Sequence, residues 1–311
     1  MFIISYKHIF FSLSALFVIV AIGSIAYVGL RTGIDFAGGS VTEVQYTDTR
    51  PETSVLVASL ETAGFTGAVV RDIGNNAVSV RTTHVTDEDE HGKLGEALSL
   101  NGTVPYEETN FSFVGPVVGQ ELRQKAWIAI TAVIVAIILF IAFAFRQVSK
   151  PVSSWVYGGV AIVALIHDVI VPTGAFAVMG AFFPGYELDV LFVTALLSIL
   201  GFSIHDTIVI FDRVRENLKK DNREHTGKSF AETVAMSLKE TMTRSINTSI
   251  TVLIVIAALY FFGGTATKPF AFTLFVGIIA GTYSSVFLAA PLLVTINDMR
   301  EKKMTTKNDK R

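Results

Sequence analysis

Six long apolar runs divide the chain, at roughly 9–29, 126–145, 155–180, 190–211, 246–262 and 269–296. Most meet or exceed the ~20 residues that cross a hydrocarbon core about 30 Å thick, so each is expected to form a transmembrane helix. The fifth is short and needs a tilt, a thinner bilayer or a start nearer Ser245. Lys7 ahead of the first run invites a signal-peptide reading. That run is too long and lacks a small-residue cleavage site, so it reads as an uncleaved anchor.

Between the first two runs the pattern changes. Val41 to Thr47 has a period of two, with Val44 and Tyr46 on one face, which suits a strand. Pro51 stands where the first turn of a helix tolerates it, and Val55, Leu56, Leu60 and Ala63 recur at helical spacing before Gly64. Ala68 to Ile73 and Ala77 to Thr82 read as strands joined by the turn Gly74-Asn75-Asn76. Glu88 to Leu98 reads as a second helix with Leu94 and Leu98 inward, and Phe111 to Val118 as the last strand. The order β-α-β-β-α-β is the ferredoxin-like split pattern.

The expected fold is therefore a polytopic α-helical membrane protein with six transmembrane helices. An α+β ferredoxin-like extracytoplasmic domain is expected between helices 1 and 2. The divisions are 1–30 for the cytoplasmic N-terminus and first span, 31–122 for that domain, 123–296 for the remaining five spans, and 297–311 for a basic cytoplasmic tail. A cytoplasmic amphipathic loop at 212–244 interrupts the bundle. Within it, Ser229-Phe230-Ala231-Glu232 reads as a capping box, and Phe230, Val234, Leu238 and Met242 repeat every four residues. This helix is expected to lie along the inner face or beneath the bundle. In the sixth run Thr273, Gly277, Gly281 and Ser284 make a small face for helix contact, internal or with another chain.

Composition agrees: 51% of residues are hydrophobic and 17% charged, against about 25% charged in soluble domains. The net charge of −2 conceals a segregated sign. Most of the 25 Lys and Arg, among them Lys7, Arg146, Lys150 and those between Arg213 and Arg244, fall on the side that holds the N-terminus. The positive-inside rule puts both termini in the cytoplasm. The absence of cysteine excludes disulfides and Cys-based metal sites or nucleophiles.

Several motifs carry little. Asp87-Glu88-Asp89-Glu90 lacks the spacing of a calcium loop and reads as a solvated loop or helix start. The glycine-rich Gly33 to Ser40 opens a strand, lacks the Gly-Lys-Ser/Thr ending of a phosphate loop, and reads as a tight turn at the membrane surface. Gly227-Lys228-Ser229 has Asn222 where such a loop needs glycine.

The chemistry lies in the spans. His167-Asp168 falls in the third and His205-Asp206 in the fourth, and a carboxylate in hydrocarbon costs roughly 2.5–3.5 kcal/mol on insertion scales. Asp206 is roughly 8 Å from the inner end of its span and Asp168 roughly 20 Å above Trp155, so the acids are staggered. Pro172 removes the helical donor to the Asp168 carbonyl and is expected to kink its helix. Arg244 opens the fifth span on the cytoplasmic side, in a polar stripe with Asn247 or Thr248 and Thr251. Facing Asp206 and Ser203, that stripe would line a wet slot for a proton or ion relay; a static Asp206–Arg244 clamp is the alternative. An intramembrane aspartyl protease would need both acids at one depth and a Gly-Asp motif that is absent. Metal binding by His167 and His205 has no ligand spacing, and His167 reads as a hydrogen-bonded interior histidine.

GIDFAGG at 33–39, VGPVVGQEL at 114–122, HDV at 167–169, GFSIHDTIVIFDRVREN at 201–217 and TMTRSINTSIT at 241–251 occur in one order and one topology. With them the chain resembles the SecD/SecF family of protein-export membrane proteins, within the resistance–nodulation–division superfamily. The resemblance covers nearly the whole chain. It implies a partner SecD in a pseudo-symmetric pair of six-span bundles, the SecYEG translocon with YajC and YidC, and an unfolded preprotein client outside, with no nucleic acid. It implies a protein-transport component rather than an enzyme, in a bacterial or archaeal cytoplasmic membrane, with the proton-motive force as energy source and no cofactor or metal. The proton-binding acid corresponds to Asp206 and its basic companion to Arg244, with Asp168 and His167 as further members of the path. The family pattern has a small polar residue where this chain has His205, which either alters the pH dependence or stands by. A stand-alone small-molecule or lipid transporter and a passive translocon scaffold are the alternatives.

Overall fold

The computed structural model describes residues 2–82, 88–144, 152–183, 185–264 and 267–308. Along the chain these form α1 (Phe2–Ser5), α2 (Lys7–Val28), α3 (Ile34–Ala37), β1 (Gly39–Tyr46), α4 (Thr53–Thr62), β2 (Val69–Ile73), β3 (Ala77–Thr82), α5 (Glu88–Leu98) and β4 (Tyr106–Val114). The long helices follow: α6 (Pro116–Ala144), α7 (Ser154–Phe182), α8 (Val190–Glu224), α9 (Phe230–Phe262), α10 (Lys268–Tyr283), a π-helical turn (Ser284–Ala289) and α11 (Ala290–Asn308). Six of these segments are long and apolar enough to cross a membrane, the last running from α10 through the π turn into α11. Two compact units result, one of Leu30–Ala129 with Met179–Val193, the other of the remaining segments.

In the first unit the strands form one antiparallel sheet of order β2-β3-β1-β4. Alternation decides which face is buried: Val44, Tyr46, Val78 and Val80 point to one side and meet Leu56, Leu60, Leu94 and Leu98 from α4 and α5. Each such side chain contributes about 1.5–3 kcal/mol by leaving water. The Tyr46 hydroxyl donates to the Leu98 carbonyl at 3.0 Å, and burial with Tyr106 nearby pushes that phenol up to about 12. Val55 and Ala63 differ from the expected inward pattern and are exposed. The last strand also lies earlier than expected, because Pro116 cannot donate to a sheet and instead opens α6. Asp87 lies outside the described residues, while Glu88, Asp89 and Glu90 form the first turn of α5.

In the second unit the main departure from expectation is at 212–244. No separate helix exists; α8 runs on to Glu224, a turn containing Gly227 reverses the chain, and α9 rises uninterrupted from Phe230 into the fifth span, while the expected repeat of Phe230, Val234, Leu238 and Met242 does pack against the bundle core. The reason is local. Neither Gly nor Pro stands between Phe230 and Phe262, so nothing ends the helix before the apolar run begins. The capping box starts it: Ser229 Oγ accepts from Glu232 N–H and Glu232 Oε2 from Ser229 N–H, worth about 1 kcal/mol. The short fifth run is thereby lengthened. On the sixth segment the small face is an internal contact: a Cβ at Gly277 would collide with Ile199, and one at Gly281 would come within 3.0 Å of Ser203 Cβ.

Candidate functional site

Asp168 and Asp206 both lie inside the membrane unit, fully and almost fully buried. Asp168 on α7 is surrounded by donors. Its Oδ2 accepts from Ser203 Oγ on α8 and from Ser284 Oγ at 2.7 Å, and its Oδ1 faces His167 Nδ1 at 2.8 Å. His167 is buried and stacked on Tyr283, with Nε2 unpartnered. It is therefore the interior histidine its setting implied. Helix α7 passes through Pro172 unbroken, and the Thr173 hydroxyl donates to the Val169 carbonyl at 2.6 Å.

The π turn explains how Ser284 reaches Asp168. A wider turn brings two consecutive residues, Ser284 and Ser285, into the interior, both with no exposed surface. Ser285 Oγ pairs with Thr207 Oγ1 at 2.8 Å, one residue from Asp206. Neither Ser285 nor Thr207 figures in the sequence reading. The only signal for them was a pair of serines inside an apolar run.

Asp206 is furnished differently. Its Oδ2 is buried without a hydrogen-bond partner, and so is Oγ of Ser245 on α9, although the Ser245 hydroxyl, His205 and Arg244 are the groups that act on that carboxylate. An unpaired polar atom of this kind ordinarily costs about 1–3 kcal/mol. No ion pair joins Asp206 to Arg244 among the described residues, and Ser203, expected beside Asp206, serves Asp168 instead.

The expected polar stripe also faces the other way. Arg244, Asn247, Thr248 and Thr251 are exposed, whereas Ser237, Thr241, Ser245 and Ser249 on the same helix point into the unit. Their hydroxyls explain the choice: Ser249 pairs with Thr282 at 2.6 Å, and Asn217 reaches Ser237 at 2.9 Å. Arg244 lines a cavity of about 440 Å³ with Ile208, Val209, Asp212, Glu216 and Glu240, close in sequence to Asp206. The Gly227-Lys228-Ser229 stretch is a turn in which Lys228 pairs with Asp221 at 3.3 Å.

A six-segment polytopic membrane protein with two buried aspartates of contrasting environment is the class these features define. Residues 96–299 match the family described as protein export membrane protein SecD/SecF, C-terminal. A protein translocase subunit SecF of Thermobaculum terrenum is 42% identical over 94% of this chain and 93% of its own length. One of Haemophilus influenzae is 33% identical over 96% and 86%. The chain belongs to the SecD/SecF family. Among solved structures, SecDF from Thermus thermophilus, described as a translocon-associated membrane protein, superposes with a TM-score of 0.80 at 29% identity over 95% of this chain. This chain spans 38% of that SecDF chain.

Proposed function

We propose that the chain acts in Sec protein translocation as a SecF-like subunit that works with SecD. In this reading the pair draws on the proton-motive force to complete preprotein export beside SecYEG, with YajC and YidC as further neighbours. The function is transport rather than catalysis, and the proton gradient replaces any cofactor or metal. Both termini are cytoplasmic, as the distribution of Lys and Arg favours. The 31–122 segment is an extracytoplasmic ferredoxin-like domain, a reading supported by the strand order β2-β3-β1-β4 with α4 and α5 on one face.

The observation that carries the proposal is Asp206 Oδ2, buried without a hydrogen bond of normal length, with the Ser245 hydroxyl near enough to act on it but equally without such a bond. A carboxyl with an open oxygen can take a proton and release it without first breaking a hydrogen bond. One charge moving down about 100 mV supplies roughly 2.3 kcal/mol, enough to bias a two-state motion. Arg244 contributes from the polar cavity as a through-space charge, and the lack of an ion pair with Asp206 weighs against a static clamp. Asp168 and His167 form a hydrogen-bonded anchor linked to α8 through Ser203, which gives the path a second member.

The test is preprotein release from proteoliposomes that hold SecYEG, SecD and this chain under an imposed proton gradient. Asp206→Asn should assemble normally and lose the gradient stimulation. Equal stimulation in the variant contradicts the proposal.

A further inference from the structure

The GIDFAGG and VGPVVGQEL stretches have no part in the proton chemistry, yet in the α+β unit they pack on each other, and the first of them reaches the start of α8. Gly33 N–H donates to the Leu188 carbonyl at 2.7 Å, and Leu188 N–H to the Arg31 carbonyl at 2.7 Å. Two carboxylates then share the free amides of the α8 N-terminus: Asp35 Oδ2 accepts from Val190 N–H at 3.0 Å and Asp189 Oδ1 from Phe192 N–H at 2.6 Å. Helix starts leave four such donors open and favour negative charge. The glycines make the approach possible. A Cβ at Gly33 would stand 2.9 Å from the Leu188 carbonyl oxygen, and one at Gly38, where φ is +75°, 2.9 Å from Pro116 Cα.

One residue further back, Glu187 holds the sheet. Its Oε1 pairs with Arg71 Nη1 of β2 at 2.9 Å and its Oε2 with Arg81 Nη1 of β3 at 3.0 Å. These side chains are only 15–22% exposed, so the contacts are screened less than open surface pairs. A cap that merely stabilised α8 would need no bridge to two strands. An axial shift of α8 by one residue is about 1.5 Å. Glu187 stands three residues before α8, and Leu188 and Asp189 between them are tied to Gly33, Arg31 and Phe192, so a shift of that size loads the Glu187 contacts with β2 and β3.

We propose that Asp35, Glu187 and Asp189 are positioning residues of a coupling joint, through which displacement of the helix bearing Asp206 is delivered to the sheet. The joint rests on the proton-driven reading of Asp206 and adds the route by which work leaves the membrane.

Hydrogen exchange tests it on the full chain with SecD in proteoliposomes, with and without an imposed proton gradient, read at 203–211 of α8 and at 69–82 of β2 and β3. In wild type both regions should change with the gradient. In Glu187→Gln the α8 response should persist while the sheet response falls about five-fold, the worth of roughly 1 kcal/mol of ion pairing. Because the chain lacks cysteine, a Glu187→Cys, Arg71→Cys pair supplies the rescue. It should lose the sheet response when open and regain it when joined by a short bismaleimide. A wild-type response at α8 without one in the sheet, or a full sheet response in Glu187→Gln or in the open cysteine pair, overturns the joint alone. No wild-type response at α8 overturns the proton-driven reading and the joint with it.

Discussion

Asp168 receives Ser203, Ser284 and His167 on its two oxygens, whereas Asp206, on the next long helix, has Oδ2 without a partner and an equally unpaired Ser245 beside it. Burial does not separate them, since both lie in the interior of one unit. The difference is in the neighbours. Asp168 sits where α7, α8 and the π turn converge, and each supplies a donor from a fixed backbone. Asp206 faces α9, whose hydroxyls at Thr241 and Ser249 are committed to its own carbonyls. A satisfied carboxylate organises helices; an unsatisfied one is free to exchange a proton.

The sharpest way to break this comparison is to neutralise each acid in turn. Asp168→Asn should cost about 2–3 kcal/mol, because hydrogen bonds from Ser203, Ser284 and His167 are lost or weakened while those groups stay buried. Asp206→Asn should cost nothing and is expected to gain stability, since a neutral amide replaces a buried carboxyl whose open oxygen has no hydrogen bond to lose. Thermal midpoints in detergent check this, and equal shifts would erase the distinction.

The packing of α10 against α8 gives the next effect. Gly277→Ala forces a Cβ onto Ile199 and should cost about 1–3 kcal/mol in the same assay. Gly201→Ala meets nothing within 4 Å and should gain about 0.5–1 kcal/mol as an ordinary helix substitution.

A third carboxylate, outside the spans, sharpens the contrast through pH. Asp189 is raised to about 6, first by burial, and further by the charges of Asp35 and Glu187. The folded protein therefore binds that proton more tightly than the unfolded chain. The resulting stability is complete below the ordinary value of 3.8 and is lost as pH rises through about 6. Lowering the pH from about 7 to 5 should add about 1 kcal/mol, and Asp189→Asn should remove that dependence from pH-resolved melts.

The smallest effect is expected at Ser245→Ala. Removing an unpaired buried hydroxyl should gain up to about 1 kcal/mol, while the pH profile of gradient-driven release shifts. An unchanged profile would detach Ser245 from Asp206.

Much of this architecture was legible in the residues. Apolar length revealed the six spans, alternation revealed the buried face of β1, and the Ser229–Glu232 spacing marked the true start of α9. The face of α9 was misjudged because a polar stripe has no direction until its neighbours are known. Arg244 and Ser245 are adjacent, and the contacts of Ser249 with Thr282 and of Asn217 with Ser237 decide which turns inward. The π turn leaves no periodic trace. The Glu187 clamp joins positions 116 and 106 residues apart, a pairing no local pattern encodes.

The most direct test of the contrast is the carboxylic-acid stretch in infrared difference spectra, recorded on membranes carrying this chain and SecD during a pH jump. The account predicts a protonation band that disappears in Asp206→Asn and survives in Asp168→Asn. A band that survives in Asp206→Asn and disappears in Asp168→Asn would contradict it.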